Sequence, residues 1–381
     1  MFRPVGTPGP GASNSESFSS TLQLTVEADL SALRAKRNTL GSLNGAPVAT
    51  KGRNVDESGD AGAAIRIQQI QALLFANNTS LRNTSVAVGE FLVTQSQRNP
   101  TPLFGLGLID AIPDDAIEAM AKRQAKESPE IQGRVSHVKD GRIGRLGWKG
   151  QVANVEDFVL NACAVELGLE VPGHHQAMIP QAPKYRASGL DLTSEECAAL
   201  VAYVRSLPKP VERPASGVEE AKLHDAGKAT FASIGCAGCH SPRLGNVQGI
   251  YADLLLHDMG QEMSDDGSYD DSGSSGDDEP LVPRIAVNVA DGRPSQPTAP
   301  QAPRGATRRE WRTPPLWGFR DSGPYLHDGR AQTLEQAVAM HGGQGAASAH
   351  KFFGLSPRER LQVEALLKSL VAPPTGQLAS R

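Results

Sequence analysis

Residues 219–240 read EEAKLHDAGKATFASIGCAGCH. A helical stretch runs into a break at Gly235 and then into Cys236-Ala237-Gly238-Cys239-His240. Two thiols one helical turn apart, followed at once by an imidazole, have the spacing that attaches haem c: the sulfurs form thioethers with the porphyrin vinyl groups and the histidine reaches the iron. A zinc site wants further Cys or His at ligand spacing, and none follows; Cys163 and Cys197 stand singly upstream. A thioredoxin-type redox pair wants a strand before it and a helix after it, whereas a helix precedes this motif. Cys236 and Cys239 are therefore the expected thioether sites, and His240 the proximal ligand.

The occupant of the sixth iron position decides what such a haem does. A strong second ligand gives low-spin electron transfer, and an open position admits peroxide or oxygen. The candidates on the same side of the chain are His257, Met259, His327, Met340, His341 and His350, and composition alone does not choose among them.

At 381 residues, 39% hydrophobic and 21% charged, the chain has an ordinary globular composition and is long enough for two domains. A formal net charge of −4 suggests neither nucleic acid nor an anionic membrane surface as partner. No run of 18 or more apolar residues predicts a membrane span. The opening residues MFRPVGTPGPGASNSESFSS have no apolar core of the secretory kind. Four cysteines, two of them in the motif, are not a disulfide framework. Cys163 and Cys197 read as buried thiols, with a bridge between them as the alternative.

Residues 1–60 are rich in Gly, Ser, Asn and Pro and read as a poorly ordered extension. Helices are expected over 61–75, over 112–126 with acids first and bases last, and over 193–207. The last has a Thr193/Glu196 capping box and an apolar face of Cys197, Leu200, Val201, Val204 and Leu207. A hairpin is expected around Asp140-Gly141. The helix over 356–370 repeats the 193–207 pattern, with Ser356 as cap, Pro357 at the first helical position and Glu359 completing a box. TPLFG (101–105) matches PPLWG (314–318), and NVEDFVLNA (154–162) matches TLEQAVAMH (333–341). Three matches in one order predict an internal duplication, with a boundary near 211 in PKPVERPAS. The domains expected are a first helical lobe over 61–210 without its own Cys-x-x-Cys-His, and a second over 211–381 bearing the haem motif. The second contains an acidic and Pro-rich insertion at 262–306, read as a solvated loop because its acids lack the EF-hand spacing.

The segments YADLLLHDMG (251–260), EWRTPPLWG (310–318), YLHDGRAQTLEQAVAMHGG (325–343) and FFGLSPRERLQVEALLKSL (352–370) resemble the di-haem oxidoreductase family, informally called thiol oxidoreductases. More distantly the chain is similar to bacterial di-haem cytochrome c peroxidases and to the di-haem enzyme that matures methylamine dehydrogenase. RNPTPLFGLGLIDAIPDDAI and GRLGWKGQVANVEDFV extend the resemblance, which covers about 98–370. It implies a mainly α protein of two cytochrome-c-like lobes with long loops and a small hairpin. Gly227, Phe231 and the Gly235 break look like a cytochrome c amino-terminal helix. The resemblance also implies a periplasmic location, a redox partner protein or small electron donor, and a calcium ion between lobes, for which no ligand set stands out in the sequence. The distal ligand implied is His341, ahead of Gly342, with a carbonyl-capping histidine as the plainer role; His327, in LHDG, is the second choice.

One departure is large. Relatives carry another Cys-x-x-Cys-His upstream of TPLFG, yet residues 1–100 contain no cysteine, and Ala162 sits where the repeat places His341. A truncated start accounts for the missing motif and the missing leader together; loss of the site is the alternative. His174 and His175 are expected in a surface loop, and Trp148 as a core anchor or an electron relay. The function expected is haem c redox chemistry of the peroxidase-like class, with the haem of the second lobe relaying electrons to a catalytic site. The alternatives are a non-catalytic electron carrier or haem-bearing module of an assembly and, last, a haemless partner-binding protein.

Overall fold

A computed structural model of the chain describes residues 2–4, 60–77, 84–88, 91–95, 97–176, 185–213, 215–265 and 305–374. These residues are mainly α. The helices are α1 Asp60–Asn77, α2 Leu106–Asp110, α3 Asp114–Glu127, α4 Val155–Asn161, α5 Ser194–Ser206, α6 Val218–Ser233, α7 Leu334–Ala339, α8 Ala346–Gly354 and α9 Pro357–Ser369. The strands are short. Phe2–Pro4 (β1), Thr84–Val88 (β2) and Phe91–Gln95 (β3) form an antiparallel sheet in the order β1-β3-β2. The expected hairpin is present as β4 (Ser136–His137) on β5 (Ile143–Gly144), with Gly141 at φ 93° in the turn. The acidic and Pro-rich insertion lies outside the described residues over 266–304, as does the 1–60 extension apart from Phe2–Pro4 and Asp60. Among the described residues no helix is long and apolar enough to cross a membrane.

Local chemistry accounts for the helix ends. Thr193 and Ser356 each accept from the backbone N–H three residues on, while Glu196 and Glu359 reach back to the cap, so both capping boxes form. Asn154 and Thr333, paired by the sequence repeat, are both N-caps, of α4 and α7. The other repeated pair is more revealing. Gly105 and Gly318 are both left-handed, at φ 76° and 73°, and each turn lies against the aromatic ring of the other. A Cβ on Gly105 would sit 2.8 Å from the Trp317 ring, and one on Gly318 would sit 2.6 Å from Phe104. Gly318→Ala therefore meets both an unfavourable backbone region and a ring, and is expected to cost about 1–3 kcal/mol in thermal unfolding.

Two apolar clusters organise the packing. The first gathers α2 to α5 through Leu106, Ile117, Val159 and Val201, and it also takes Leu254 and Trp317 from the carboxy-terminal half. The second gathers α6, α8 and α9 through Phe231, Phe352, Phe353 and Leu366. α6 crosses α9 at Gly227, where a Cβ would fall 2.1 Å from the Gln362 carbonyl oxygen. The helix at Asp60–Asn77 differs from the sequence reading, which grouped it with residues up to 210. Ala63 and Ile67 are buried in the second cluster, and Gln71 Nε2 donates to the Ala339 carbonyl at 2.7 Å. Its apolar face packs on α7 and α8 and so joins the carboxy-terminal group. A third, smaller cluster of Leu74, Met263, Trp311 and Met340 holds Trp148 at its edge.

Candidate functional site

α6 stops at Ile234, Gly235 turns left-handed at φ 92°, and Cys236–Gly238 form a single tight turn. The turn closes with the His240 N–H donating to the Cys236 carbonyl at 2.9 Å. Both motif cysteines are half-buried and unbridged. Burial and the neighbouring Cys239 push the Cys236 thiol up to about 12. The His240 ring is set by Tyr251, whose carbonyl accepts from Nδ1 at 3.0 Å. A carbonyl only accepts, so Nδ1 carries the proton and Nε2 presents a lone pair.

His341 comes from a separate element. α7 ends at Ala339, and the His341 Nδ1 donates to the Ala337 carbonyl at 2.8 Å. Its Nε2 is thereby a lone pair as well. The two imidazole centres lie 6.5 Å apart with their planes tilted by 51°. Two imidazoles on opposite sides of one metal, each nitrogen about 2.0–2.1 Å away, hold their ring centres roughly 6–6.5 Å apart. Phe231 lies 6.5 Å from His240 and meets Tyr251 edge-on, so apolar rings flank the pair. The residues present fit a haem iron between them.

Burial and the nearby His341 pull His240 down to about 4, and burial lowers His341. Burial also lowers His327. A histidine held below its ordinary value near 6.5 is bound by fewer protons folded than unfolded, so its stabilisation is full above about pH 6.5 and fades as pH falls toward the folded value. His240 alone represents about 3 kcal/mol at 1.4 kcal/mol per pH unit. In the haem-free chain the urea midpoint is expected to fall steeply between pH 6.5 and 4, and His341→Phe is expected to shrink that fall.

The other expected ligands have surroundings of their own, although the Met259 methyl and His341 meet at Gly345. His327 is 2% exposed, stacks on Trp311 with ring centres 3.8 Å apart, and places Nε2 3.4 Å from Asp265. Met340 is wholly buried in the third cluster, and Met259 packs at that cluster's edge. His350 lies on α8. His174 is half-buried and His175 exposed beside Glu170, as a surface loop requires. Trp148 donates through its indole N–H to the Asn99 carbonyl at 2.8 Å, which makes it an anchored ring between the first and third clusters.

Sequence reasoning missed two features. Lys149 is buried, with Nζ donating to the carbonyls of Thr307, Arg308 and Glu310 and lying 3.5 Å from the Trp311 ring centre. Burial, offset by Asp265 and Glu310, holds it down at about 7. The second feature touches the motif itself. His257, counted above only as a ligand candidate, directs Nδ1 at the Cys239 sulfur at 3.7 Å and donates from Nε2 to Asp253 at 2.9 Å. Burial opposes its charge, but Asp253 and Cys239 together raise it to about 10. The signal was available: Asp253 and His257 flank three leucines in an otherwise apolar run.

The family model described as di-haem oxidoreductase matches residues 77–283 and 286–370. The chain belongs to the di-haem oxidoreductase family. It is also similar to the methylamine utilization protein MauG of Methylorubrum extorquens, with 32% identity over 189 residues, or 46% of this chain and 44% of that one. The chain thus aligns with less than half the length of that curated relative. Two solved structures align at lower levels. One is a MauG-like protein associated with microbial copper homeostasis, at 19% identity and TM-score 0.32, covering 74% of this chain and 94% of that one. The other is hydrazine synthase of Kuenenia stuttgartiensis, at 16% identity and TM-score 0.29, covering 76% and 98%. Neither score is high enough to argue a shared fold. Membership in the di-haem oxidoreductase family supports a haem redox role. This member carries one Cys-x-x-Cys-His in its sequence.

Proposed function

We propose that the chain carries one covalent haem c on Cys236 and Cys239, that His240 and His341 hold its iron, and that it serves electron transfer. The observation that carries this reading is the neighbouring pair of imidazoles, 6.5 Å between centres, each with Nδ1 tied to a carbonyl. The haem, when bound, supplies a one-electron couple. The protein's own part is to fix both imidazoles in the tautomer that offers Nε2 and to keep water from the pair with Phe231 and Tyr251. A second imidazole in place of a methionine favours a lower potential, which suits a donor of electrons. The haem would relay electrons to a catalytic site elsewhere in the assembled enzyme, drawing on a redox protein or small donor outside the cytoplasm.

A specific observation favours a second reading, a non-catalytic carrier or a haem-bearing module. Asn154 and Thr333 are equivalent caps, and eight residues beyond them stand Ala162 and His341. The first repeat therefore offers no imidazole where the second offers one. The resemblance also implies calcium. The donor group that the described residues bring together, Cys239, Asp253 and His257, is not the all-oxygen set that ion takes. The test is the full chain made with a haem c maturation system. A low-spin spectrum and reversible reduction are expected. Turnover of peroxide with an artificial donor supports the enzyme reading, normal redox cycling without turnover supports the carrier, and absence of covalent haem defeats both.

A further inference from the structure

Asp253 is wholly buried, and it is linked to the haem motif through His257 and Gln124. Its Oδ1 accepts from the Leu255 N–H at 2.9 Å, and its Oδ2 accepts from Gln124 Nε2 at 2.7 Å and from His257 Nε2 at 2.9 Å. Tyr251 and Leu254, on either side, are left-handed non-glycine residues at φ 50° and 61°. Such backbone persists only where its surroundings over-determine it. Gln124 also donates to the Gly238 carbonyl at 2.8 Å and accepts from the Gly133 N–H at 3.0 Å. Gly133 lies close against the His257 ring, where a Cβ would fall 2.7 Å from Cε1 and Nε2. The imidazole is thus fixed in its plane, with one nitrogen on a carboxylate and the other aimed at the Cys239 sulfur.

The donor and acceptor inventory then decides its charge. A carboxylate only accepts. A thioether sulfur has no proton and also only accepts. Once Cys239 is bonded to haem, a ring held between those two groups satisfies both only when both nitrogens carry protons. Cys236 has no such neighbour and packs against the second apolar cluster. The haem would therefore be flanked by a fixed positive group on the Cys239 edge alone, with its counter-charge one ring further away.

We propose that His257, held as an imidazolium by Asp253 and Gln124, is a positioning residue that raises the reduction potential of the haem from its Cys239 edge. This rests on the haem reading of Cys236, Cys239 and His240. A positive charge beside the macrocycle favours the reduced iron, which carries one positive charge less. No bond is made or broken and no proton moves.

The experiment is a potentiometric titration of the full haem-loaded chain with His257→Gln and His257→Asn. Gln retains a neutral donor toward Asp253, and Asn one toward the sulfur; both remove the charge. In each variant the reduced-to-oxidised ratio at a fixed potential is expected to fall tenfold or more, about 59 mV for one electron. The low-spin spectrum is expected to stay unchanged, which separates tuning from a shift of the iron ligands. Potentials within twofold of wild type in both variants, or altered spectra in both, overturn the proposal. Loss of covalent haem from both also overturns it, since a charge at the macrocycle edge has no part in forming thioethers. A wild-type chain without haem defeats the haem reading itself. A wild-type low-spin haem whose potential ignores His257 leaves that reading standing and defeats only this one.

Discussion

His341→Ala is expected to convert the oxidised haem at neutral pH from low-spin to high-spin almost completely while leaving it covalently attached. The thioethers and His240 come from one continuous stretch, the turn after α6, whereas His341 is delivered by α7 about a hundred residues later. Removing the second imidazole therefore opens a coordination position without dismantling the first. Three of the other candidate side chains are already engaged, His327 on Trp311, Met340 in the core and His257 on Asp253; the Met259 methyl lies beside His341 at Gly345. The opened position should accordingly bind cyanide and added imidazole, which an iron held by both histidines would exclude, and added imidazole should restore the low-spin bands. A low-spin spectrum that survives the substitution would assign the distal ligand elsewhere. Absorbance and electron paramagnetic resonance distinguish the outcomes.

The largest stability effect is expected at Gly227. α6 and α9 meet there backbone to backbone, with a Cβ on residue 227 only 2.1 Å from the Gln362 carbonyl oxygen. Backbone cannot swing aside as a side chain does, so Gly227→Val must separate the two helices. Phe231, Leu366 and Leu367, buried at 4%, 0% and 3% exposure, would lose their packing together. The expected cost is about 3–5 kcal/mol, a drop in melting temperature of roughly 4–6 °C for a chain of this size. Gly354→Ala is the control, since a Cβ there meets nothing within 4 Å. Loss of haem from the valine variant would follow from the same movement, because α6 carries the motif at its end.

Much of this arrangement could be read beforehand, and the limits have physical causes. The capping boxes at Thr193 and Ser356, the hairpin turn at Asp140-Gly141 and the glycine break before Cys236 depend on neighbours three or four residues away, so the sequence displays them directly. The place of α1 does not. Ala63 and Ile67 are buried with Phe352 and Phe353, nearly three hundred residues along the chain, and nothing in a local window encodes that choice. His341 stood ahead of His327 as the distal ligand only through the resemblance, since both lie near glycines in one motif. They differ in what each ring lies beside, an imidazole in one case and an indole in the other. Asp253 escaped notice for a related reason. An acid in an apolar run reads as a strand end until its three hydrogen-bond donors, one of them from α3, are seen around it.

The paired turns at Gly105 and Gly318, each capped by the other's ring, bear on how such a gene can change. Leu254 and Trp317 belong to the core of the amino-terminal half, and α1 to that of the other. A polypeptide divided at residue 211 would leave two unfinished products, each missing wall material that the other carries. The two halves are mutually dependent: neither is free to be shuffled, swapped or lost without the other.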